Sequence, residues 1–447
     1  MVFGGAGMTT RTLMIAAPRS GGGKTTVTLG LLAALRARGV RVRGAKTGPD
    51  YIDPAFHEAV TGLPSFNLDS WAMAPSLLEG VLADATQDAD LLVVESAMGL
   101  FDGLMEPQGN RGAPSDIAAR FGIPVVLVLD VSGQGQSAAA VAHGFATLDP
   151  AVHVAGVVLN QVASARHLAM AKGAVEAAGL SVLGAFLRDK TLVLPERHLG
   201  LVQAREQHEL EALVGRLAER TVASLDLDAM LGVAQPLDIH GGHDIAVAPP
   251  GQRIAVANDV AFSFFYGHLA HGWRKAAAEL VPFSPLADEG PDASCDICWL
   301  PGGYPELHAG CLSQARNFQT SLAEFARTRP VHGECGGFMV LGRALEDAQG
   351  VMHPMSGLLG HVTSFAKRKM NLGYREAVLR EDCALGRRGT CLRGHEFHYA
   401  QVIEAGHDEP LVDLRDGTGR DLGLAGGRCG HVSGTYFHVM AQRETRA

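Results

Sequence analysis

The chain has 447 residues, of which 47% are hydrophobic and 19% charged, and a formal net charge of −9. That length predicts two or three domains rather than one, and the composition is that of a compact enzyme, not of a disordered or fibrous chain. An acidic chain without a Lys/Arg cluster predicts no nucleic-acid partner, and the lack of an apolar run of roughly 18 residues predicts no membrane span.

The opening MVFGGAGMTTR has neither the basic start nor the apolar core of a signal peptide, so a cytoplasmic location is expected. The seven cysteines, all from residue 295 on, are expected to be reduced. Cys295 and Cys298 form a C-x-x-C inside an apolar strand pattern, with no second pair at zinc spacing, and read as buried thiols.

Residues Leu13 to Gly30 are an apolar run, then Ser20-Gly21-Gly22-Gly23-Lys24-Thr25-Thr26, then a helical pattern. A strand that turns through glycines into a helix points several backbone N–H groups into one concavity at the positive end of the helix dipole, which makes a phosphate cradle. Lys24 suits the β- and γ-phosphates and the Thr25 hydroxyl suits Mg²⁺. Pro18 stands where the usual first glycine of the motif falls.

From Leu13 to about Ala185, β-branched runs alternate with amphipathic stretches, which predicts a parallel sheet covered by helices. In such sheets functional residues gather at the C-terminal ends of strands. Those ends carry Lys46-Thr47-Gly48-Pro49-Asp50-Tyr51-Ile52-Asp53-Pro54, then Glu95 with Gly99-Leu100-Phe101-Asp102-Gly103 after it, then Asn160. Asp50 and Glu95 are candidate Mg²⁺ ligands, although an Asp before a helix also serves as a cap. In the later loop LPERHLGL, Arg197 and His198 are candidates to face an anionic substrate.

From about Leu225 to Gln252 the chain turns rich in Pro, Gly and His with little amphipathic period, and a linker is expected. A second α/β pattern follows. In it, Pro330-Val331-His332-Gly333-Glu334-Cys335-Gly336-Gly337 is a strand running through a glycine-flanked turn into a helix. That is the logic of a nucleophile elbow, with Cys335 as nucleophile and its thiol pKa expected to be lowered by the helix N-terminus. His438, at the end of another apolar strand, is the candidate base. Backbone N–H groups at Gly302 and Gly303 are candidates for an oxyanion hole.

With these residues in place, the C-terminal part resembles a class I glutamine amidotransferase domain, and the whole chain from about Thr12 resembles the cobyrinic acid a,c-diamide synthases of corrin biosynthesis. SGGGKTT, GPDYIDP, GLFDG, LPERHLGL, LPGGYPE, HGECGG, GHEFHYA and GTYFH, in that order, carry the resemblance. The first domain also resembles dethiobiotin synthetase and the deviant phosphate-loop ATPases of the partitioning type, with Arg19 where the latter carry a lysine. The fold implied is α/β throughout, a parallel-sheet phosphate-loop domain over 12–240, a linker over 241–251 and an amidotransferase domain over 252–445.

The resemblance implies ATP- and glutamine-dependent amidation of the a and c carboxylates of hydrogenobyrinic or cobyrinic acid through an acyl phosphate. It implies ATP and Mg²⁺ held by Ser20 to Thr26 and by Thr25, Asp50 and Glu95, adenine bonded by Asn160, and a substrate carboxylate, intermediate or ammonia oriented by Tyr51, Asp53 and Asp102. It implies Cys335 and His438 as the glutamine-hydrolysing pair, without the Glu that many class I enzymes carry two residues after the His, because that position is Met440. Ammonia must pass between domains before it is protonated, so close docking is expected. A homodimer is expected as the commonest assembly. A cobyric acid synthase-type amidoligase and a partitioning-type switch ATPase are the alternatives.

Overall fold

The apolar runs become strands and the amphipathic stretches become helices in the computed structural model, which describes residues 10–189, 196–197, 200–201, 203, 210–239, 241–242 and 245–444. The chain divides into two compact units, one drawn largely from residues up to 244 and one from residue 245 on.

The first unit opens with β1 (Arg11–Ala16), α1 (Lys24–Ala37), β2 (Val42–Thr47), α2 (Ile52–Thr61), β3 (Phe66–Leu68), α3 (Pro75–Thr86) and β4 (Leu91–Glu95). It continues with α4 (Pro114–Phe121), β5 (Val125–Asp130), α5 (Ala138–Thr147), β6 (Val154–Val162), α6 (Ala165–Ala177) and β7 (Val182–Leu187). These strands form one sheet in the order β3-β2-β4-β1-β5-β6-β7, parallel throughout. Because β1 lies between β4 and β5, their C-terminal ends come together on either side of the glycine turn that follows β1. Leu13, Ile15, Val93, Val94, Val126 and Val128 are fully buried, each contributing about 1.5–3 kcal/mol.

Short strands β8 (Glu196–Arg197) and β9 (Gly200–Leu201) pair antiparallel. His198 lies outside the described residues. Helix α7 (Leu210–Ser224) packs on α1, where a β-carbon on Gly30 would meet the Thr221 hydroxyl at 2.1 Å.

The stretch from Leu225, expected to be linker, begins instead with α8 (Leu227–Val233) and β10 (Gln235–Pro236). Asp226 caps α8 by accepting from the Ala229 N–H, and Leu227 and Met230 are buried beneath it. Strand β10 pairs antiparallel with Arg11 and Thr12 at the start of β1. One cap and two anchoring side chains suffice for a helix too short to show a period. Within the expected linker, Ala246 and Val247 are buried in the second unit. Ala246 accepts from the Gln442 N–H and Val247 from the Trp273 indole.

The second unit begins β11 (Arg253–Ala257), α9 (Gly267–Lys275), β12 (Glu279–Phe283), β13 (Ile297–Leu300), α10 (Ala309–Gln314), α11 (Arg316–Ala326), β14 (Val331–Glu334) and α12 (Gly336–Leu341). Then come β15 (Ala344–Glu346), β16 (Met352–Pro354), β17 (Val362–Ser364), β18 (Asn371–Leu379), β19 (Cys391–His398) and β20 (Gln401–Glu404). The last strands are β21 (Val412–Asp416), β22 (Asp421–Ala425), β23 (Gly427–Cys429), β24 (Val432–Thr435) and β25 (Phe437–Gln442).

A sheet ordered β12-β11-β13-β14-β24-β23 is parallel except for β23. An antiparallel sheet runs β22-β21-β18-β19-β25, and a smaller mixed sheet runs β16-β15-β17-β20. The chain crosses from the first of these sheets to the second at Tyr436, between β24 and β25. His438 is therefore near the start of β25 and not at the end of a strand, as its apolar context predicted. Cys295 and Cys298 are buried free thiols beside β13. Among the described residues no helix is long and apolar enough to cross a membrane.

Candidate active site

In the first unit, Gly21 and Gly23 take φ of +71° and +92°, a left-handed backbone that costs other residues 1–2 kcal/mol or so. This turn aims the open N–H groups of the first turn of α1 away from β1. A β-carbon on Gly23 would fall 2.1 Å from Nδ2 of Asn160. Asn160 donates from Nδ2 to the Gly22 carbonyl at 3.0 Å, and its Oδ1 accepts from the Gln161 N–H at 2.9 Å. It stands inside β6 just before a left-handed residue, Gln161, and braces the loop backbone.

Lys24 is buried and donates to the carbonyls of Met98, at 2.7 Å, and Arg19, at 3.2 Å. Burial, joined by the charge of Lys46, lowers its pKa to about 8. Arg19 turns outward to Asp130 at 2.9 Å. Asp102 closes the turn after β4 by accepting from the Gly99 N–H at 3.0 Å.

The Thr25 hydroxyl donates to Glu95 at 2.6 Å and lies 3.5 Å from Asp53. Asp50 instead caps α2, accepting from the N–H groups of Ile52 and Asp53 at 2.8 and 3.0 Å. Tyr51 stands at the entry to α2. The ammonium of Lys46 bonds Asp53 and reaches Glu95 at 3.1 Å, with Asp50 at 3.9 Å. The other Glu95 oxygen meets His57 Nε2 at 2.8 Å, and His57 Nδ1 meets Ser65 at 3.2 Å.

Burial opposes ionisation of Glu95, but Lys46, His57 and Thr25 outweigh it and hold the carboxyl below its usual range. Burial likewise opposes the Lys46 charge, and Asp53, Glu95 and Asp50 overcome it and raise the pKa. Neither Lys46 nor His57 was singled out from the sequence. The signal for His57 was present in its spacing: it follows Asp53 by four residues, hence on the same face of α2.

In the second unit Cys335 links β14 to α12 at φ 46°, ψ −101°, a strained conformation that a nucleophile elbow requires. Its N–H donates to the Thr435 carbonyl at 2.8 Å, and its thiol faces the Phe397 carbonyl at 3.6 Å. A β-carbon on Gly336 would meet the Gly303 amide nitrogen at 3.0 Å, and one on Gly337 would meet the Leu300 carbonyl at 2.0 Å. The bare glycines thus let the Leu300–Pro305 turn lie directly on the elbow. On its other side that turn touches His438, since a β-carbon on Gly302 would fall 2.3 Å from His438 Cε1.

His438 is fully buried and stacks on His395, its cross-strand partner, with centroids 4.9 Å apart. His395 Nδ1 meets the Tyr266 hydroxyl at 3.1 Å, and His398 stacks on Tyr436 at 3.8 Å. Glu334 lies 3.9 Å from His438 Nδ1. Met440 is buried, and its carbonyl meets His268 Nε2 at 3.0 Å.

The expectation of a lowered thiol pKa is overturned. Burial, with Glu306 adding to it, pushes the Cys335 thiol up, and the six-residue α12 cannot offset that cost. Burial, followed by His395 and His398, pushes His438 well below its ordinary value. The pair therefore rests as neutral thiol and neutral imidazole. Among the described residues no group of three or more His, Cys, Asp and Glu is placed to hold a metal ion by itself.

Comparison with known proteins finds a match for each of the two units. Residues 13–202 match the CobQ/CobB/MinD/ParA nucleotide binding domain, and residues 253–445 match the CobB/CobQ-like glutamine amidotransferase domain. The hydrogenobyrinate a,c-diamide synthase of Mesorhizobium japonicum is 62% identical over 97% of this chain and 99% of its own length. Those of Agrobacterium fabrum, 58% identical over 97% and 100%, and Rhodobacter capsulatus, 54% identical over 96% and 98%, are similar in the same way. With this identity over nearly its whole length, and with a nucleotide-binding domain followed by a glutamine amidotransferase domain, the chain belongs to the hydrogenobyrinate a,c-diamide synthase family.

Proposed function

We propose that this protein converts the a and c carboxylates of hydrogenobyrinic acid to amides, using ATP and the amide nitrogen of glutamine. The observation that carries this reading is the 62% identity to a relative of that name over 97% of the chain. Both centres described above supply residue types that the chemistry needs.

A carboxylate resists ammonia because oxide is a poor leaving group. The carboxylate oxygen attacks the γ-phosphorus of ATP, ADP departs, and the resulting acyl phosphate gives ammonia a phosphate to displace. The N–H groups of the glycine turn and the ammonium of Lys24 stabilise charge on the phosphates. Thr25, Glu95 and Asp53 offer hard oxygen donors within 3.5 Å of the Thr25 hydroxyl, which fits Mg²⁺, an ion that commonly takes only one or two protein carboxylates beside the phosphates. Bound there, Mg²⁺ would neutralise phosphate charge. Asp53 is assigned to this set because its carboxylate lies 3.5 Å from the Thr25 hydroxyl, beside Asp50, which caps α2 through one oxygen and keeps the other. Tyr51 and Asp102 remain assigned to the substrate side. Asn160 is assigned to shaping the loop beside the nucleotide.

For ammonia release, His438 takes the Cys335 proton as sulfur attacks the glutamine amide carbon. The Gly302 and Gly303 turn faces the developing oxyanion, and His438 returns the proton to the departing nitrogen, leaving a thioester that water hydrolyses to glutamate.

The test is incubation with ATP, Mg²⁺ and glutamine and either hydrogenobyrinic acid or its cobalt-containing counterpart, with added amides counted by mass spectrometry. Two amides on the cobalt-free ring are expected. Amidation of further side chains, or ATP hydrolysis that ignores both rings, overturns the reading.

A further inference from the structure

We infer that Glu334 is the positioning residue for His438, so that the strand delivering the nucleophile also delivers the acid that orients its base. This rests on the reading that Cys335 and His438 hydrolyse glutamine. Glu334 and Cys335 are adjacent, so at the end of β14 the two side chains leave in different directions from a strained turn. One Glu334 oxygen accepts from the Val439 N–H at 3.1 Å, fastening it to the residue after His438. The other lies 3.9 Å from His438 Nδ1. Both side chains are almost wholly inaccessible to solvent, 2% and 0% exposed.

The separation is longer than a hydrogen bond and within ion-pair range. In a buried setting a lone carboxylate and a lone imidazolium are each costly, whereas the two together offset one another. Burial pushes the Glu334 carboxyl up to about 8 and His438 well below its ordinary value, the direction in which a lone buried charge is penalised. Glu334 acts in its ionised form, already a carboxylate before the imidazole takes up the thiol proton, so no second proton moves. When the thiol proton passes to Nε2, the Nδ1–H turns towards Glu334, which stabilises the imidazolium and fixes the ring plane. The same proton leaves Nε2 for the departing ammonia, and the pair returns to its starting state. Met440, next but one along β25, offers no carboxylate.

His395 is the ring that packs on this imidazole, and a stacked ring meets its face rather than its in-plane Nδ1–H. His398 stacks on Tyr436, and Tyr266 is engaged with His395. Gly302 touches the Cε1 side, where any side chain would displace the ring rather than orient it.

The experiment compares Glu334→Gln, Glu334→Asp and the parent chain in steady-state glutamine hydrolysis and in diamide synthesis from ammonium salts. Gln keeps an acceptor for the Val439 N–H but not the charge. It is expected to lower kcat for glutamine by about 10²-fold or more, the direction seen when a base loses its carboxylate partner, with KM for glutamine unchanged. Asp, an acid one methylene shorter, is expected to recover part of the lost kcat. Thermal melts identify a variant that has merely failed to fold, and the Asp variant then decides the question. Parent-level kcat in Glu334→Gln, loss of kcat and KM together in equal measure, or an Asp variant no better than the Gln variant overturns the assignment. Failure of Cys335→Ala to abolish glutamine use would instead sink the reading on which it rests.

Discussion

A β-carbon on Gly44 would stand 2.7 Å from that of His57, and the bare strand position is what lets His57 sit against β2 and reach Glu95 at 2.8 Å. Gly44→Ala is therefore expected to displace His57 and free one oxygen of Glu95. Overpacking of this kind costs about 1–3 kcal/mol, read as a lower melting temperature. ATP-dependent amidation should fall by about tenfold or more, as when a residue that orients a ligand is lost. An unchanged rate with either nitrogen source would remove His57 from the phosphate centre.

Lys24→Ala and Cys335→Ala should fail in different ways. Without Lys24 no diamide forms from either glutamine or ammonium salts, because the carboxylate is never activated. Without Cys335 only the glutamine-dependent route is lost. Measuring both variants with both nitrogen sources separates the two centres, and loss of the ammonium-driven route in Cys335→Ala would contradict the division of labour.

Gly302→Ala places a methyl group 2.3 Å from His438 Cε1, closer than any carbon pair tolerates. The imidazole or the turn must shift, and a misplaced base is expected to cost about 10²-fold in glutamine hydrolysis. Synthesis from ammonium salts reports whether the loss is confined to this centre.

Acid should destabilise the second unit before it affects ordinary carboxylates. Burial lowers His268 and His361 to about 4, and His332 and His395 to about 3, from an ordinary 6.5. Because the folded-state values are depressed, the unfolded chain binds the extra protons. Stability is complete above 6.5 and is lost as pH falls towards 4, by up to about 1.4 kcal/mol per histidine and pH unit. Glu334, raised to about 8 by burial, acts in the opposite sense as a single group against these histidines and against His398 and His438, which are lowered as well. A melting temperature that stays level from pH 7 to 5 would contradict this balance.

Much of this was legible in the residues alone. SGGGKTT and HGECGG each specify a strand, a sharp turn and a helix from neighbouring positions, because glycine placement and the sterics of a turn act over a few bonds. The alternation of apolar runs predicted the parallel sheet for the same reason. The short helix α8 escaped because a single cap and two anchors leave no period to read.

The sequence by itself determined which chemical groups the protein carries and the local turns that present them. Only the tertiary structure decided which of those groups meet. Lys46 joins Glu95 across adjacent β2 and β4, His57 reaches the same carboxylate from α2, and Glu334 faces His438 because the chain changes sheets at Tyr436. Each pairing is set by strand order and register among segments far apart in the chain. Burial has the same origin: it raised the Cys335 thiol that its local turn was expected to acidify, since desolvation is a property of everything packed around a group and not of its neighbours in sequence.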